Sequence, residues 1–246
     1  MKMATQVEVL SITSDLFGPP MTIHPVLIWD EAGATLVDAG FPGQFEQLKA
    51  SVEQAGVAFS RLRRLIVTHQ DWDHIGTIPQ IKSALGGAIE ICAHGDEKPY
   101  LEGQLSYIKM TPERAASRLA ALSERLRPEA AKALAAIPIF SVDRLLADGE
   151  TLPWHGGIQI IHTPGHTPGH ICLLLPAHRL LIAGDQLRIE DGRLVGPAAE
   201  HTPDMQAARH SLQKLLDLPA DRIACYHGGV YSSGIPARLA ELAAGR

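Results

Sequence analysis

The chain has 246 residues, 46% of them hydrophobic, and a formal net charge of −5. That length suits one large domain, or two fused halves around one core, and without a long basic run nucleic acid is not an expected partner. No apolar run reaches the ~18 residues of a membrane span, and "MKMATQVEVLSIT" lacks the apolar h-region and cleavage site of a signal peptide.

Residues 6–12, "QVEVLSI", and 26–38, "VLIWDEAGATLVD", read as strands, the second pair turning at Ala32-Gly33. Helical spacing follows over 43–55, where Phe45, Leu48, Val52 and Ala55 share a face. "LRRLIVT" predicts a strand, "IGTIPQIKSAL" a helix and "AIEICAH" another strand, an alternation that points to an α/β fold. Residues 99–140 differ in being rich in Ala, Leu, Glu and Arg. Thr111 is placed to cap a helix with Pro112 at its first position, and Pro128 to start a second, so the segment predicts a helical hairpin inserted between two α/β halves. The second half resumes with strands at "IQIIHT", "HICLLLP" and "RLLIAGD", a helix at about 204–217, the strand "RIACYH" and a short last helix. Cys92, Cys172 and Cys225 each lie in an apolar run with no C-x-x-C spacing, which predicts buried reduced thiols and a cytoplasmic protein.

Four of the apolar strands end in residue types that ligate metals. "LIVT" leads into His69, Asp71, Asp73 and His74, "IQIIHTPG" into His166, "RLLIAG" into Asp185 and "RIACY" into His227. Loops at strand ends in an α/β sheet gather into one site. His69 and Asp71 alternate around Gln70, so an extended segment points both the same way. Three aspartates brought together repel one another, and one or two cations would relieve that conflict.

In this order the motifs resemble those of the metallo-β-lactamase fold superfamily: H-x-H-x-D-H, a histidine in a "TPGHT" loop, "GD" and a late histidine. Here they read "HQDWDH", "HTPGHTPGH", "AGDQ" and "CYHGG", spanning residues 22 to about 229. The resemblance implies an αββα sandwich within one domain, residues 1–246, with a two-metal site at one edge. It implies His69, Asp71 and His166 on a first metal, Asp73, His74 and His227 on a second, and Asp185 between them. Two divalent ions are expected, zinc first, with iron and manganese as alternatives. Asp71 departs from the pattern, where histidine is usual; flavodiiron proteins of the same superfamily also carry a carboxylate there. Counting charges, three aspartates and a hydroxide would just offset two divalent ions, so Asp71 is expected to favour harder cations than a three-histidine site.

The implied activity is a hydrolase: two cations share a water, lower its pKa and direct it at a small ester, lactone or thioester, with Asp73 orienting the nucleophile or passing a proton. The alternatives are a phosphodiesterase and a di-iron oxidoreductase, the latter lacking the flavodoxin domain of flavodiiron proteins; a metal-stabilised binding protein without turnover is a third class. Acyl-homoserine lactonases are similar in motif order and size, though "GDQLRIEDG" lacks the tyrosine many carry after the bridging aspartate. A small molecule is the expected partner, with the oligomeric state, a homodimer included, left open. His162 and His170, flanking His166, are expected to be strand residues or to support the site. His94, His155, His178, His201 and His210 are expected on the surface or in loops, and His24 near the site in an early hairpin. Gly165, Gly169 and Gly184 are expected to permit tight turns, Trp72 to pack or to form a pocket wall, Tyr100, Tyr107 and Met110 to pack in the core or line a pocket, and Arg188 to face substrate.

Overall fold

Apolar alternation along the strands sets the layers of this molecule, which a computed structural model describes over residues 4–245. The first half runs β1 (Gln6–Val9), β2 (Ile12–Ser14), β3 (Met21–Ile23), β4 (Val26–Asp30), β5 (Gly33–Val37), α1 (Phe45–Gln54), β6 (Leu62–Ile66), α2 (Trp72–Ile75), α3 (Ile78–Ala84) and β7 (Glu90–His94). The inserted segment carries α4 (Lys98–Leu101), α5 (Pro112–Ala121) and α6 (Arg127–Ala135). The second half runs β8 (Arg144–Leu146), β9 (Thr151–Leu152), β10 (Ile158–His162), β11 (Ile171–Leu175), β12 (Leu180–Ile182), β13 (Arg188–Glu190), β14 (Arg193–Val195), α7 (Met205–Gln213), β15 (Arg222–Cys225), β16 (Gly229–Tyr231) and α8 (Ile235–Ala243). One six-stranded sheet has the order β1-β4-β5-β6-β7-β8 and the other β16-β15-β12-β11-β10-β9.

Strand β11, "ICLLL", shows how the layers arise. Successive side chains point to opposite faces. Ile171, Leu173 and Leu175 meet Val26, Ile28, Val37 and Ile66 of the first sheet. Cys172 and Leu174 face the other way, into a cluster with Leu212 of α7 and Leu239 of α8. The first sheet does the same: Leu36, Leu65 and Ile91 turn outward against Leu48 and Val52 of α1 and Ile78 and Ile81 of α3. Three apolar layers thus separate four structural ones, giving an αββα sandwich of the metallo-β-lactamase type. Each fully buried Leu or Ile contributes about 1.5–3 kcal/mol.

The insert forms helices as its caps suggest. Thr111 Oγ1 accepts a hydrogen bond from the Arg114 amide at 3.3 Å, and Pro128 lies in the first turn of α6. Elsewhere the structure departs from the local pattern. The helix expected over "IGTIPQIKSAL" is α3, which starts only at Ile78 and is parted from α2 at Gly76-Thr77. A Cβ at Gly76 would lie 2.1 Å from Pro42 N, and the Gly76 amide donates to Gly40 O at 2.7 Å, so close backbone approach sets the break. The strand expected over 6–12 splits into β1 and β2. Strands β3, β8, β9, β13, β14 and β16 have three residues or fewer, too short to show alternation. His155 lies in a turn, as expected, but is buried there and spans Thr35 Oγ1 and Asp30 Oδ2, at 2.8 Å each. Among the described residues no helix is long and apolar enough to cross a membrane.

Candidate metal centre

The loops after β6, β12 and β15 meet the loop joining β10 to β11, and all seven residues singled out in the sequence come together there. In the first group Asp71 Oδ2 lies 3.3 Å from His69 Nε2 and 3.1 Å from His166 Nε2. In the second, Asp73 Oδ2 lies 3.6 Å from His74 Nε2 and 3.3 Å from His227 Nε2. Asp185 stands between them. Its Oδ2 is 3.2 Å from His166 Nε2 and 3.5 Å from His227 Nε2, and its Oδ1 is 3.3 Å from His74 Nε2. The donor atoms of each group fall within 4.8 Å of one another, a spread that could hold a metal ion.

Neighbouring groups aim the imidazoles. Asp38, which the motif does not include, accepts from the Thr68 amide, from Thr68 Oγ1 and from His74 Nδ1, each at 2.8 Å. Because Thr68 Oγ1 gives its proton to Asp38, it is left to accept from His69 Nδ1 at 3.0 Å. Thr202 Oγ1 likewise donates to Ala198 O and accepts from His166 Nδ1 at 3.3 Å. All three rings therefore donate through Nδ1 and turn Nε2 inward, the orientation a ligating histidine requires. His69 Nε2, His74 Nε2 and Asp185 Oδ1 are buried polar atoms without a hydrogen-bond partner. Buried polar atoms left unpaired are costly, and a cation on these lone pairs would satisfy them: the donor set fits one or two such ions.

The field of the site attracts cations. Burial alone would raise the carboxyls of Asp71 and Asp185, yet neighbouring basic groups hold both well below the usual range: Lys109 and His69 for Asp71, His227 and His74 for Asp185. Burial opposes protonation of His227, but Asp185 and Asp73 outweigh it and lift the ring to about 10. His74 is likewise raised, against burial, by Asp38 and Asp185. His69 behaves oppositely: burial, reinforced by His74, lowers it to about 4.

Three supports lay outside the sequence reading or only at its margin. Glu97, fully buried, accepts from the Gln70 amide at 2.9 Å, Gln70 Nε2 at 3.0 Å and the Gly169 amide at 2.7 Å, so it joins the loops bearing His69 and His166. His170 Nε2 accepts from the Asp185 amide at 3.0 Å, with its Nδ1 on Thr163 Oγ1 at 2.8 Å. Tyr226 stacks on His74 at 3.7 Å and donates to Asp73 O at 2.5 Å. A Cβ at Gly184, which sits at φ +51°, would lie 2.6 Å from His170 Nε2, so glycine lets this strand end approach the site. Gly169 serves by closeness alone, its φ being ordinary and Glu97 N lying 2.7 Å from where a Cβ would stand.

His162 ends strand β10, the strand position expected of it, away from the site. It stacks on His94 at 3.9 Å and 13°, near Asp96, and its Nε2 donates to Pro168 O at 2.9 Å. Parallel rings send their lone pairs side by side rather than to a common point. His24 touches Tyr226 O through Nδ1 at 3.1 Å and borders the site without lining the cavity above it.

That cavity, of about 260 Å³, has Asp71, Asp73, Asp185, His166 and His227 on its floor. Its walls include Phe41, Trp72, Tyr107 and Met110, with Arg118, Arg188 and His201 at its polar side. Trp72 both packs, edge to face with Phe17 and Phe41, and forms wall. Lys109, from the insert, reaches the floor. It is buried, its ammonium pairs with Asp71 Oδ2, and it donates to His166 Nε2 at 2.6 Å. No sequence signal singles out this lysine, because its partners lie far away along the chain.

Residues 18–227 match the sequence profile of the metallo-beta-lactamase superfamily. The probable metallo-hydrolase YflN of Bacillus subtilis (strain 168) is 31% identical over 204 residues, 78% of this chain and 74% of that protein. The hydroxyacylglutathione hydrolase GloC of Haemophilus influenzae is 30% identical over 211 residues, 84% of this chain and 85% of that protein. Among solved structures, TTHA1623 in a di-iron-bound form superposes with a TM-score of 0.64 at 27% identity, covering 94% of this chain and 98% of that chain.

Proposed function

The chain belongs to the metallo-beta-lactamase superfamily, and on that premise we propose that it is a metal-dependent hydrolase of a small ester, lactone or thioester, acting at a two-cation site. The observation that carries this reading is the set of buried, unpartnered polar atoms, His69 Nε2, His74 Nε2 and Asp185 Oδ1, at the junction of two donor groups beneath a cavity. His69, Asp71 and His166 would hold one ion, Asp73, His74 and His227 the other, with Asp185 shared. Such ions, when bound, lower the pKa of a water toward neutrality and polarise the scissile carbonyl.

The chain's own groups supply the rest. Although burial would raise its carboxyl, Asp73 is held below the usual range by His74 and His227. It therefore suits orienting a water better than holding a proton. Phe41, Trp72 and Met110 exclude solvent from the acyl group, which strengthens every electrostatic contact inside. The cavity suits a small acyl compound. The likeness to GloC supports a thioester as the first substrate to test, and the di-iron form of TTHA1623 supports trying iron beside zinc and manganese.

The test is metal analysis of protein purified without added metal, then chelation, reconstitution with each ion, and a panel of thioesters, lactones, aryl esters and phosphodiesters. Carbonyl-ester turnover that is lost on chelation and restored by metal is expected. Turnover of phosphodiesters alone would replace the reading by a phosphodiesterase, and no metal-dependent turnover on the panel would overturn it.

A further inference from the structure

We propose that Lys109 is an internal cation that competes for the first ion position, so that the two positions load in sequence, the second group before the first. This rests on the metal-binding reading above and concerns how the chain distributes its affinity.

The argument begins with lone pairs. His166 Nδ1 is committed to Thr202 Oγ1 as a donor, so Nε2 carries the ring's one accepting lone pair. The Lys109 ammonium already donates to that atom at 2.6 Å and also pairs with Asp71 Oδ2. One lone pair cannot serve an ammonium proton and a metal ion together. An ion entering among His69, Asp71 and His166 must therefore move Lys109 aside and stand near its positive charge.

The contact is built into the fold. Gln70, between His69 and Asp71, accepts the Ile108 amide on its Oε1 at 3.0 Å. Its other polar groups are fixed on Glu97. The segment delivering Lys109 is thus fastened to the loop delivering Asp71. Lys109 also lines the cavity, so a displaced ammonium has space beside the site.

The second group has no such rival. Among the described residues, no Lys or Arg pairs with Asp73 or Asp185, whose recorded ionic partners are His69, His74, His166 and His227. Displacing a buried, paired ammonium is therefore a cost that falls on the first position and not on the second, whose carboxylates face imidazoles alone. The Asp71 carboxylate thereby acquires a role of its own: it is the counter-charge of this lysine as well as a donor to the first position.

The experiment is equilibrium zinc titration of the chelated full chain against a chromophoric competitor, with stoichiometry by metal analysis, on the parent, Lys109→Met, Lys109→Gln and Lys109→Arg. The parent should bind one ion tightly and a second at least about tenfold more weakly. Lys109→Met and Lys109→Gln should tighten the weak step about tenfold or more and leave the tight step within about twofold. Lys109→Arg should keep the gap. His227→Ala should remove the tight step. Two equal sites in the parent would overturn the proposal, as would an unchanged gap in both neutral variants that retain the parent's circular dichroism. Loss of the weak step in His227→Ala would overturn it too. A parent that binds no ion would overturn the proposed function itself, an outcome distinct from two equal sites.

Discussion

Asp38→Asn is the substitution that most directly tests how the chain prepares its donors. Asp38 is buried, and its φ of 62° is one that asparagine adopts readily, so the backbone is spared and only charge and donor pattern change. Its Oδ1 receives the Thr68 amide, and its Oδ2 receives Thr68 Oγ1 and His74 Nδ1. An amide nitrogen in either position faces a donor. The arrangement that spares the Thr68 amide turns the amide nitrogen on His74 Nδ1, which can then no longer donate, so the proton is left on Nε2, the nitrogen a metal ion would need. A hydrogen bond to a charged group contributes about 1.5–3 kcal/mol. Loss of a group that orients a ligating histidine costs about 10–100-fold in metal affinity, equivalent to about 1.4–2.7 kcal/mol. Asp38→Asn is therefore expected to lower the stability of the chelated chain by about 2 kcal/mol and the affinity of the tighter zinc step by 10–100-fold. Urea unfolding and competitive zinc titration measure the two separately. Zinc affinity within about twofold of the parent would refute the tautomer argument, whatever happens to stability.

Bound cation should stabilise the fold by about 2.7 kcal/mol at a hundredfold excess over its dissociation constant, so chelation should lower the unfolding midpoint by roughly 5–11 °C; an unchanged midpoint after verified metal loss would contradict a folded-state ion. Asp71→His strands a buried ammonium, so it should destabilise the chelated chain by about 3–5 kcal/mol, and adding Lys109→Met should recover most of that in urea unfolding; a single variant as stable as the parent would refute the pairing. Met110→Ala, on the cavity wall, should change the preference among ester substrates while leaving metal content intact, as activity profiles and metal analysis would show. Burial pushes the thiols of Cys92 and Cys172 up to about 12 and that of Cys225 higher, so none should react with a thiol reagent at pH 8 until the chain is unfolded. Since the folded thiols hold protons that the unfolded chain releases above its ordinary cysteine pKa, the urea midpoint should also fall as pH rises from about 8.5 toward 10.5.

Much of this protein is written locally. The five apolar residues of β11 and the runs before His69, Asp185 and His227 announce buried strands, because a strand covered on both faces needs apolar side chains on both. The Thr111-Pro112 cap announces its helix because the capping oxygen and the helix it serves are neighbours in the chain. The clustered histidines and aspartates were legible for a related reason: each follows a strand end, and alternation around Gln70 turns His69 and Asp71 together, as their 3.3 Å separation bears out.

What the tertiary structure decided are meetings between residues that carry no local mark. Asp38 lies 36 positions before His74 and reads in sequence as the end of a hairpin; only the parallel pairing of β5 with β6 sets it under the site. Glu97 looks like an ordinary surface acid until two loops close on it, and His170, expected to be a strand residue or to support the site, gains its partner, the Asp185 amide, only in the fold. Lys109 matters most for the chemistry. The charge count made from the donors alone omitted it, since a lysine in a polar, Ala-rich insert is by default solvated. Its burial against Asp71 and His166, respectively 38 and 57 positions away, places a positive charge where the sequence showed only negative ones. Short-range pattern reports which face of an element is apolar; which charge ends up beside which depends on chain closure over tens of residues, and that exists only once the fold has formed.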